Sequence, residues 1–256
     1  MSRGAFDLSG RVAYVAGGFG LIGAATCRAL AACGAVVVAL EREGARRPDG
    51  LPAGLRDDVF DAGDGARARE RIDALEAVHG PASCWINAAY PRTSDWGASR
   101  QENIDEASWR ANVDLQLNAA CLVSAAACAA MAQRRAGSLV NVASIYGVVA
   151  PDFSVYAGLD MGMPPAYAAI KGGLIAYTRY LAAHHGPHGV RANALCPGGV
   201  RSGQPERFIA AYSARTALGR MATPEDIAWP AAFLASDAST YVTGSVLMVD
   251  GGWTAS

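Results

Sequence analysis

Short apolar runs and longer segments of helical spacing alternate along the whole chain. The runs at residues 12–16 and 35–40 are almost continuously apolar, which is typical of strands buried on both faces. Strands are predicted at residues 12–16, 35–40, 83–87, 138–142, 191–196 and 245–249, with a weaker edge strand at 55–59. Helices are predicted between them at residues 21–33, 66–79, 104–134, 165–184, 206–217 and 224–235.

This alternation is the pattern of repeated βαβ units around a parallel sheet. No Pro-, Gly- or Ser-rich linker interrupts it, and the sequence has no internal repeat. We therefore predict one domain over residues 1–256. Its fold class is α/β, a doubly wound Rossmann-type domain with a parallel sheet of about seven strands and helices on both faces.

The composition fits a large buried core, because 52% of the residues are apolar and only 18% are charged. The net charge is −1 with acids and bases interspersed, so neither nucleic acid nor an anionic membrane is an expected partner. The first residues contain no signal-peptide-like run, and nowhere do about 18 uncharged apolar residues follow one another. We expect a cytoplasmic protein.

The cysteines and histidines do not form the spacings of a disulfide framework or a metal site. Six cysteines lie in Ala- and Val-rich surroundings without a Cys-x-x-Cys pair, so we interpret them as small core residues in a reducing compartment. The four histidines have no Cys or carboxylate companion at ligand spacing. No metal is expected.

One predicted helix is unusually rich in small residues, with ten alanines between Ala107 and Ala132. Alanine has the highest helix propensity, so this can reflect composition alone. Small side chains also allow two helices to approach closely. The alternative interpretation is therefore a tight contact between subunits of a homo-oligomer.

Glycines directly after the first strand predict a dinucleotide site. Gly17, Gly20 and Gly23 permit a sharp turn, close approach of the backbone to a pyrophosphate, and close packing of helix on strand. The following helix offers unpaired N–H groups and a positive dipole end to the phosphates. The candidate cofactor-binding residues of this turn are Gly17, Phe19, Gly20, Leu21, Ile22 and Gly23.

An acidic residue at the end of the second strand bears on the choice of cofactor. Glu41 comes eighteen residues after Gly23, where a carboxylate accepts hydrogen bonds from the adenosine ribose hydroxyls. A carboxylate there repels a 2′-phosphate, so NAD is favoured over NADP. The neighbouring Arg42 offers a partner for a 2′-phosphate, which keeps NADP possible.

Tyr167 and Lys171 are four residues apart on a predicted helix, so their side chains share one face. A free tyrosine has a pKa near 10, and a nearby ammonium is expected to lower the pKa of this phenol. Of the 22 basic residues, 21 are Arg, and Lys171 is the one lysine in the chain. Arginine does not replace a compact ammonium, which supports a specific role for this amine.

Two polar residues near this pair are weaker candidates. Ser144 follows the fifth predicted strand, at the carboxyl edge of the sheet where α/β enzymes build their sites. A serine at a strand end is also a common turn or cap residue. Asn112 lies inside a predicted helix, where asparagine usually faces solvent.

Taken in order, these motifs resemble the short-chain dehydrogenase/reductase family over essentially the whole chain. They are Gly-x-x-Gly-x-x-Gly at 17–23, Asn87-Ala88-Ala89, Asn112-Val113, Ser144, Tyr167-x-x-x-Lys171 and Cys196-Pro197-Gly198-Gly199. The resemblance implies a catalytic tetrad of Asn112, Ser144, Tyr167 and Lys171. In that mechanism Tyr167 exchanges a proton with the substrate oxygen, Ser144 polarises the carbonyl, Lys171 holds the nicotinamide ribose, and Asn112 anchors a water.

The resemblance also implies further cofactor contacts. Asp58 and Val59 would lie at the adenine, and Asn87, Ala88 and Ala89 at the adenosine ribose. The nicotinamide side would be lined by Pro197, Gly198, Val200 and Ser202. The family further implies NAD or NADP as cofactor, a small-molecule substrate, and a homo-oligomer, usually a tetramer.

The chain departs from the common family pattern in ways that alter the cofactor loop and the substrate side. Ala16, Ile86 and Ala89 replace the usual Thr, Asn and Gly, and the middle glycine of the turn is displaced to Gly20. The interval from Ser144 to Tyr167 is longer than usual. We expect the extra segment, residues 151–164, to loop over the mouth of the active site and to bind substrate.

This insertion, together with Asn87–Arg92 and residues 199–205, resembles a bacterial branch of flagellin-modification or nonulosonate-pathway oxidoreductases. That resemblance implies a polar, sugar-derived substrate. The candidate substrate-binding residues are Tyr90, Arg92, Asp152 and Gln204, and Arg92 is suited to a phosphate or carboxylate.

Two other functions stay open. Within the same enzyme class, a 3-oxoacyl or small-ketone reductase would require an apolar acyl channel. In a different class, the chain could be a dinucleotide sensor or partner-binding protein without turnover. The pair of Tyr167 and Lys171 argues against a sensor, which needs no proton chemistry.

Overall fold

Parallel strands in the order β3–β2–β1–β4–β5–β6–β7 form the central sheet of the computed structural model, which describes residues 4–255. The strands are β1 Val12–Ala16, β2 Val36–Glu41, β3 Arg56–Val59, β4 Ala82–Asn87, β5 Gly137–Val142, β6 Val190–Pro197 and β7 Val246–Val249. The helices are α1 Leu21–Ala32, α2 Ala68–His79, α3 Glu106–Val113, α4 Ala119–Gln133, α5 Pro165–His185, α6 Glu206–Ser213 and α7 Pro224–Ala235.

Helices cover both faces of the sheet, and successive strand residues point to opposite faces. In β1, Ala13 and Val15 join the core formed with α1 and α7. Tyr14 and Ala16 join the core formed with α2, α4 and α5. All four are fully buried, which explains why the strand sequences are continuously apolar rather than alternating. The predicted doubly wound fold is confirmed.

Several predicted helix ends differ from the observed ones by one or two residues, and the end of α6 differs by four. The prediction extended α6 to residue 217, but α6 ends at Ser213 and the chain turns there, with the Thr216 hydroxyl donating to the Ser213 carbonyl at 2.8 Å. The long helix predicted at 104–134 begins at Glu106, because the Asp105 side chain caps it by accepting from Ser108 N. A π-helical turn, Asp114–Asn118, separates α3 from α4.

The continuous helix Glu106–Gln133 is long and apolar enough to cross a membrane by length and composition, with a mean hydropathy of 1.6. This differs from the expectation that no segment would meet such a criterion. Val123, Ala127 and Met131 of this helix are buried against the sheet. A core helix of a globular protein meets the same criterion, so it does not by itself indicate a membrane span.

The sheet order places a crevice beside β1. The chain runs outward from β1 to β2 and β3 and then crosses to the other side of β1 to form β4. The loops after β1 and β4 therefore diverge at the carboxyl edge of the sheet. In doubly wound sheets, ligands bind at this switch point.

Candidate active site

In the turn after β1, several glycines lie so close to neighbouring atoms that no side chain would fit there. Gly17 has a φ of +75°, and a Cβ added to it would lie 2.6 Å from Ala89 Cα. A Cβ on Gly23 would lie 2.0 Å from the Gly17 carbonyl oxygen, and one on Gly18 would lie 2.7 Å from Ala39 Cβ. The tight turn predicted from Gly17 and Gly23 is therefore present. Gly18, which packs against β2, was not predicted as part of it.

The N-terminus of α1 points free backbone donors out of this turn. Its N-cap, Gly20, offers no side-chain cap, and the first turn of the helix holds no acidic residue. Ala24 N donates to the Gly20 carbonyl at 2.8 Å, so the N–H groups of Leu21, Ile22 and Gly23 precede the first helical hydrogen bond. These free donors fit the pyrophosphate of a dinucleotide.

Two carboxylates lie at the ends of β2 and β3, where adenosine contacts were predicted. Glu41 is partly exposed and accepts from Arg42 N at 3.2 Å, while the Arg42 side chain is exposed. The Asp58 carboxylate lies 2.9 Å from His79 Nε2 and also accepts from Val59 N at 2.7 Å. Glu41 is therefore open to a ribose, whereas Asp58 already has partners within the protein.

The structure gives Asn87 a role different from the one predicted. Its Nδ2 donates to Ser124 Oγ at 2.9 Å and to Asn141 Oδ1 at 2.8 Å, and its Oδ1 accepts from Trp85 Nε1 at 2.7 Å. This buried network links β4 to β5 and α4, so the side chain is not free for a ribose. The backbone that follows it, which stands directly over Gly17 at Ala89, is the part of this motif at the crevice.

The loop after β6 is held by its own hydrogen bonds. Gly198 N donates to the Val249 carbonyl at 2.9 Å, and Val200 forms an isolated parallel bridge with Ala222. Gln204 Oε1 accepts from Ser202 N at 2.7 Å, and Gln204 Nε2 donates to the Val200 carbonyl at 2.9 Å. The Gln204 amide therefore braces this loop, which differs from the predicted substrate contact.

Asp152 is likewise engaged within the protein. It caps the turn that follows it by accepting from Ser154 N at 2.9 Å, and it forms an ion pair with Arg215 Nε at 2.9 Å. The hydrogen bonds from Ser154 lower the pKa of this carboxyl the most, and the charge of Arg215 lowers it further. Its position tethers the start of the insertion to the loop after α6, and a substrate contact by Asp152 stays a prediction.

Ser144, Tyr167 and Lys171 meet at the carboxyl edge of β5. Ser144 is buried, accepts from Tyr146 N at 3.1 Å, and forms a hydrogen bond with the Tyr167 hydroxyl. Lys171 is only 7% exposed and donates from Nζ to the Val142 carbonyl at 3.0 Å. Its Nζ lies 5.7 Å from the centre of the Tyr167 ring. A hydroxyl, a phenol and an amine thus share one small pocket.

The pKa of Tyr167 moves opposite to the expectation. Burial raises it, and this outweighs the hydrogen bond from Ser144, which lowers it. The reason is the placement of Lys171, whose Nζ is bonded to a carbonyl and faces the ring rather than acting on the phenol oxygen. Burial also lowers the pKa of Lys171 to about 8. The Tyr167 phenol is therefore protonated at neutral pH and can donate a proton, and the neighbouring Lys171 amine loses its own proton near pH 8.

This lysine should leave a signature in the pH dependence of stability. The pKa of Lys171 is about 8 in the folded chain and 10.5 in its ordinary state. Between these two pH values the lysine is protonated in the unfolded chain and largely neutral in the folded one. The free energy of unfolding should therefore rise with pH across that window, by at most about 1.4 kcal/mol per pH unit from this group. Urea unfolding from pH 7.5 to 10.5 gives the free energy of unfolding of wild type and of Lys171→Met, and the difference between the two proteins isolates the contribution of the lysine. A difference that does not change with pH would contradict this prediction.

Asn112 is 1% exposed, contrary to the usual solvent-facing position of a mid-helix asparagine. Its Nδ2 donates to Thr93 Oγ1 at 2.7 Å and to the Ser108 carbonyl at 2.8 Å. Its Oδ1 accepts from Thr93 N and from Gln116 Nε2, both at 3.2 Å. The side chain ties α3 to the loop after β4 and has no capacity left for a water. Gln116 Oε1, buried in the π-helical turn, has no partner among residues 4–255.

Two aromatic residues, Tyr90 and Trp96, lie against Tyr167, and of these Tyr90 alone was predicted from the sequence. The Tyr90 ring meets the Tyr167 ring edge to face, with centres 5.9 Å apart, and Lys171 Nζ lies 5.6 Å from the Tyr90 ring centre. Trp96 contacts the Tyr167 ring at 6.4 Å and donates from Nε1 to the Tyr90 hydroxyl at 2.7 Å. Arg92 covers the Tyr90 ring at 5.3 Å. Trp96 was missed because its loop has no periodicity.

The insertion at residues 151–164 lies beside this pocket. Val155 is buried with Phe208 of α6, and Met161 and Met163 are in the same apolar cluster as Tyr167. Two arginines flank the segment: Arg207 approaches Gly158, and Arg100 approaches Gly162. Within the described part of the chain, no cluster of three or more His, Cys, Asp or Glu residues is arranged to hold a metal ion.

Comparison with known proteins places this geometry among relatives of named activity. A family model described as enoyl-(acyl carrier protein) reductase matches residues 20–254. The galactitol 2-dehydrogenase (L-tagatose-forming) of Cereibacter sphaeroides is 34% identical over 267 residues, which cover 98% of each chain.

Two solved structures share the fold closely. A short-chain dehydrogenase from Leptospira borgpetersenii with bound NAD⁺ superposes with a TM-score of 0.86 at 29% identity, covering 98% of this chain and 95% of that one. A gluconate 5-dehydrogenase from Burkholderia cenocepacia in complex with NADP and tartrate has a TM-score of 0.85 at 27% identity, covering 98% of each chain.

Proposed function

Because this chain belongs to the short-chain dehydrogenase/reductase family and is an NAD(P)-dependent oxidoreductase of secondary alcohols and ketones, we propose that its substrate is polar and sugar-derived. The observation that carries the proposal is the group of buried Ser144, buried Lys171 and half-buried Tyr167 beside an exposed, unpaired arginine. Arg92 has one contact among the described residues, the face of Tyr90, so its guanidinium is free to bind a carboxylate, phosphate or hydroxyl.

The reacting pocket supplies the proton chemistry, while the nicotinamide, when bound, supplies or accepts the hydride. Tyr167 is kept protonated by burial and gives its proton to the substrate oxygen during reduction. Ser144, oriented by Tyr146 N and bonded to Tyr167, donates to the same oxygen. Lys171, whose Nζ is bonded to the Val142 carbonyl and lies 5.7 Å from the Tyr167 ring centre, would hold the nicotinamide ribose. The reverse transfer serves alcohol oxidation.

The residues that would hold the cofactor follow from the free backbone donors at the crevice. The turn from Gly17 to Gly23 would hold the pyrophosphate on the N-terminus of α1. Glu41 would accept from the adenosine ribose hydroxyls, which favours NAD, and Arg42 is the residue that would bind a 2′-phosphate of NADP. Lys171 and the loop from Pro197 to Ser202 would flank the nicotinamide riboside.

The finer assignment, to the flagellin-modification or nonulosonate branch, is part of this proposal. It is supported by the insertion at 151–164 beside Tyr167 and by Tyr90-Pro91-Arg92 at the mouth. Names of related proteins agree with a polyhydroxylated substrate, since one is a galactitol dehydrogenase and another a gluconate dehydrogenase solved with tartrate.

A 3-oxoacyl or small-ketone reductase is the second candidate. It is favoured by the methionines Met161 and Met163, which pack in the same cluster as Tyr167 and offer an adaptable apolar wall. The description of the matching family model, which refers to acyl carrier protein, points the same way.

A substrate panel with both cofactors tests the proposal. NAD⁺ or NADP⁺ is offered with galactitol, gluconate, meso-2,3-butanediol and 2-butanol, and NADH or NADPH with acetoacetyl-CoA. We expect faster turnover of the polyols or the sugar acid than of the other compounds, with NAD preferred. Preference for acetoacetyl-CoA would favour the reductase. Tight cofactor binding without any turnover would favour a dinucleotide sensor and overturn the proposed function.

We also propose a homo-oligomer, a dimer or tetramer, assembled through the outer faces of α4 and α5. Leu122 is 51% exposed on α4, and Tyr180 is 61% exposed on the neighbouring α5. The Tyr180 ring stacks between Tyr177 at 5.8 Å and His184 at 5.9 Å. An aromatic column of this kind beside an exposed leucine and an alanine-rich helix is suited to close contact between helices.

A charged residue on this face should weaken the association of the subunits. Leu122→Glu is expected to shift the sedimentation coefficient toward that of a smaller species, because a carboxylate cannot be buried without a partner. Val78→Glu, at an exposed apolar position on α2, is the control and should leave the mass unchanged. An unchanged mass for Leu122→Glu would contradict this surface.

A cytoplasmic location completes the proposal. All six cysteines are free, and four of them, Cys27, Cys84, Cys128 and Cys196, are buried among apolar residues. Unpaired cysteines are typical of proteins in a reducing compartment.

A further inference from the structure

Tyr90 is the residue closest to the reacting pair that the proton chemistry does not use. It follows β4, and its ring touches both Tyr167 and the Lys171 ammonium. Trp96, which is 6% exposed and packs with Ala166 and Ile170 of α5, holds the Tyr90 hydroxyl through its indole N–H. The position of this phenol is therefore fixed by α5, the same helix that carries Tyr167.

The direction of the Tyr90 hydroxyl proton follows from this contact. An indole N–H is a donor only, so it occupies an acceptor position on the Tyr90 oxygen. The phenolic proton must point elsewhere, and no residue within 4–255 accepts it. Tyr90 is 39% exposed, so the residue is accessible to a ligand that could accept this proton.

Two phenols consequently line one place, since the Tyr90 and Tyr167 rings meet edge to face with centres 5.9 Å apart. Burial raises the pKa of Tyr90, and the charge of an ionised Tyr167 would raise it further. Tyr90 therefore keeps its proton at neutral pH. The two oxygens of a vicinal diol lie on adjacent carbons and each can accept a hydrogen bond, so neighbouring hydroxyl donors suit such a pair.

We propose that Tyr90 is a specificity-determining residue whose hydroxyl donates to a second substrate oxygen, on the carbon next to the reacting one. The substrate class is vicinal diols in the oxidising direction and α-hydroxy ketones in the reducing direction. This rests on the proposed function and narrows it, because a simple secondary alcohol would leave the Tyr90 donor unused.

The test compares substrates that differ in that oxygen alone. The probes are meso-2,3-butanediol against 2-butanol for oxidation, and acetoin against 2-butanone for reduction. The wild type should favour the dioxygenated probe in kcat/KM. In Tyr90→Phe, which keeps the ring and its contacts with Tyr167, this ratio should fall about tenfold, the worth of one hydrogen bond.

Two further variants separate specificity from structure. Trp96→Phe removes the indole donor that orients the phenol and should lower the same ratio by a smaller factor. Tyr241→Phe, a matched removal of a fully exposed hydroxyl, should not change it. A structural defect would lower both probes of each pair together, leaving the ratio constant.

The outcomes are distinct from failure of the proposed function. A wild-type ratio near one, or an unchanged ratio in Tyr90→Phe, overturns the role of Tyr90 while the enzyme remains an alcohol dehydrogenase. Turnover of another panel alcohol together with no turnover of the four probes also overturns it. If no alcohol or ketone of the panel reacts with either cofactor, the proposed function itself fails.

Discussion

Replacement of Tyr167 by Phe is expected to lower turnover by about 10²–10⁴-fold, the usual contribution of a positioned proton donor. The change removes only the hydroxyl that is bonded to Ser144 and leaves the ring between Tyr90 and Trp96. The fold and the crevice after β1 should therefore be preserved. Steady-state kinetics with the best substrate of the panel measures the loss, and fluorescence titration with NADH should give a dissociation constant close to that of wild type.

A control variant and the NADH titration show whether a loss of turnover in Tyr167→Phe comes from proton transfer. Tyr241→Phe, which removes a hydroxyl from a fully exposed ring, should retain wild-type turnover. If Tyr167→Phe retained more than about a tenth of the activity, the phenol would not be the principal proton donor. If it lost NADH binding as well, the defect would lie in the architecture of the pocket rather than in proton transfer.

Gly23→Ala is expected to have the largest effect on cofactor binding. The added Cβ would lie 2.0 Å from the Gly17 carbonyl oxygen, which is backbone and cannot move without displacing the turn. Overpacking of this kind costs about 1–3 kcal/mol in the free energy of unfolding. The forced movement separates the turn from the N-terminus of α1, so we expect NADH affinity to fall at least tenfold. Urea unfolding and NADH titration measure the two effects.

Gly54→Ala is the control for this substitution. A Cβ at Gly54 meets nothing within 4 Å, so both stability and NADH affinity should stay at wild-type values. Wild-type NADH affinity in Gly23→Ala would show that the nucleotide does not depend on this turn. Loss of stability alone, with affinity retained, would limit the role of Gly23 to folding.

The strands were predictable because a strand buried on both faces has a continuously apolar sequence. β1 and β4 carry this signal, and β1 was placed with both ends correct. The edge strand β3 has the sequence Arg-Asp-Asp-Val and pairs with β2 alone, so its prediction was weak. The end of α6 was missed because it is set by the Thr216 hydroxyl and not by a break in the apolar pattern.

The site was predictable only as far as sheet topology fixes it. Residues that follow parallel strands meet at one edge, which brings Ser144 to the helix of Tyr167 and Lys171. The contacts of Asn87 with Ser124 and Asn141 bridge 37 and 54 positions of sequence, and no local pattern encodes them. The upward pKa shift of Tyr167 depends on where Lys171 Nζ points, which spacing alone does not specify.

The exclusive use of arginine outside the pocket has an electrostatic consequence. Lys171 is buried, so every positively charged side chain on the described surface, apart from any protonated histidine, is a guanidinium. Guanidinium groups keep their charge far into the alkaline range, where ammonium groups are neutralised. The positive charge of the arginines should therefore stay nearly constant between about pH 8 and 10, while the one side-chain amine titrates inside the catalytic pocket. Alkaline titration thus acts on the chemistry of this enzyme with little change to its colloidal behaviour.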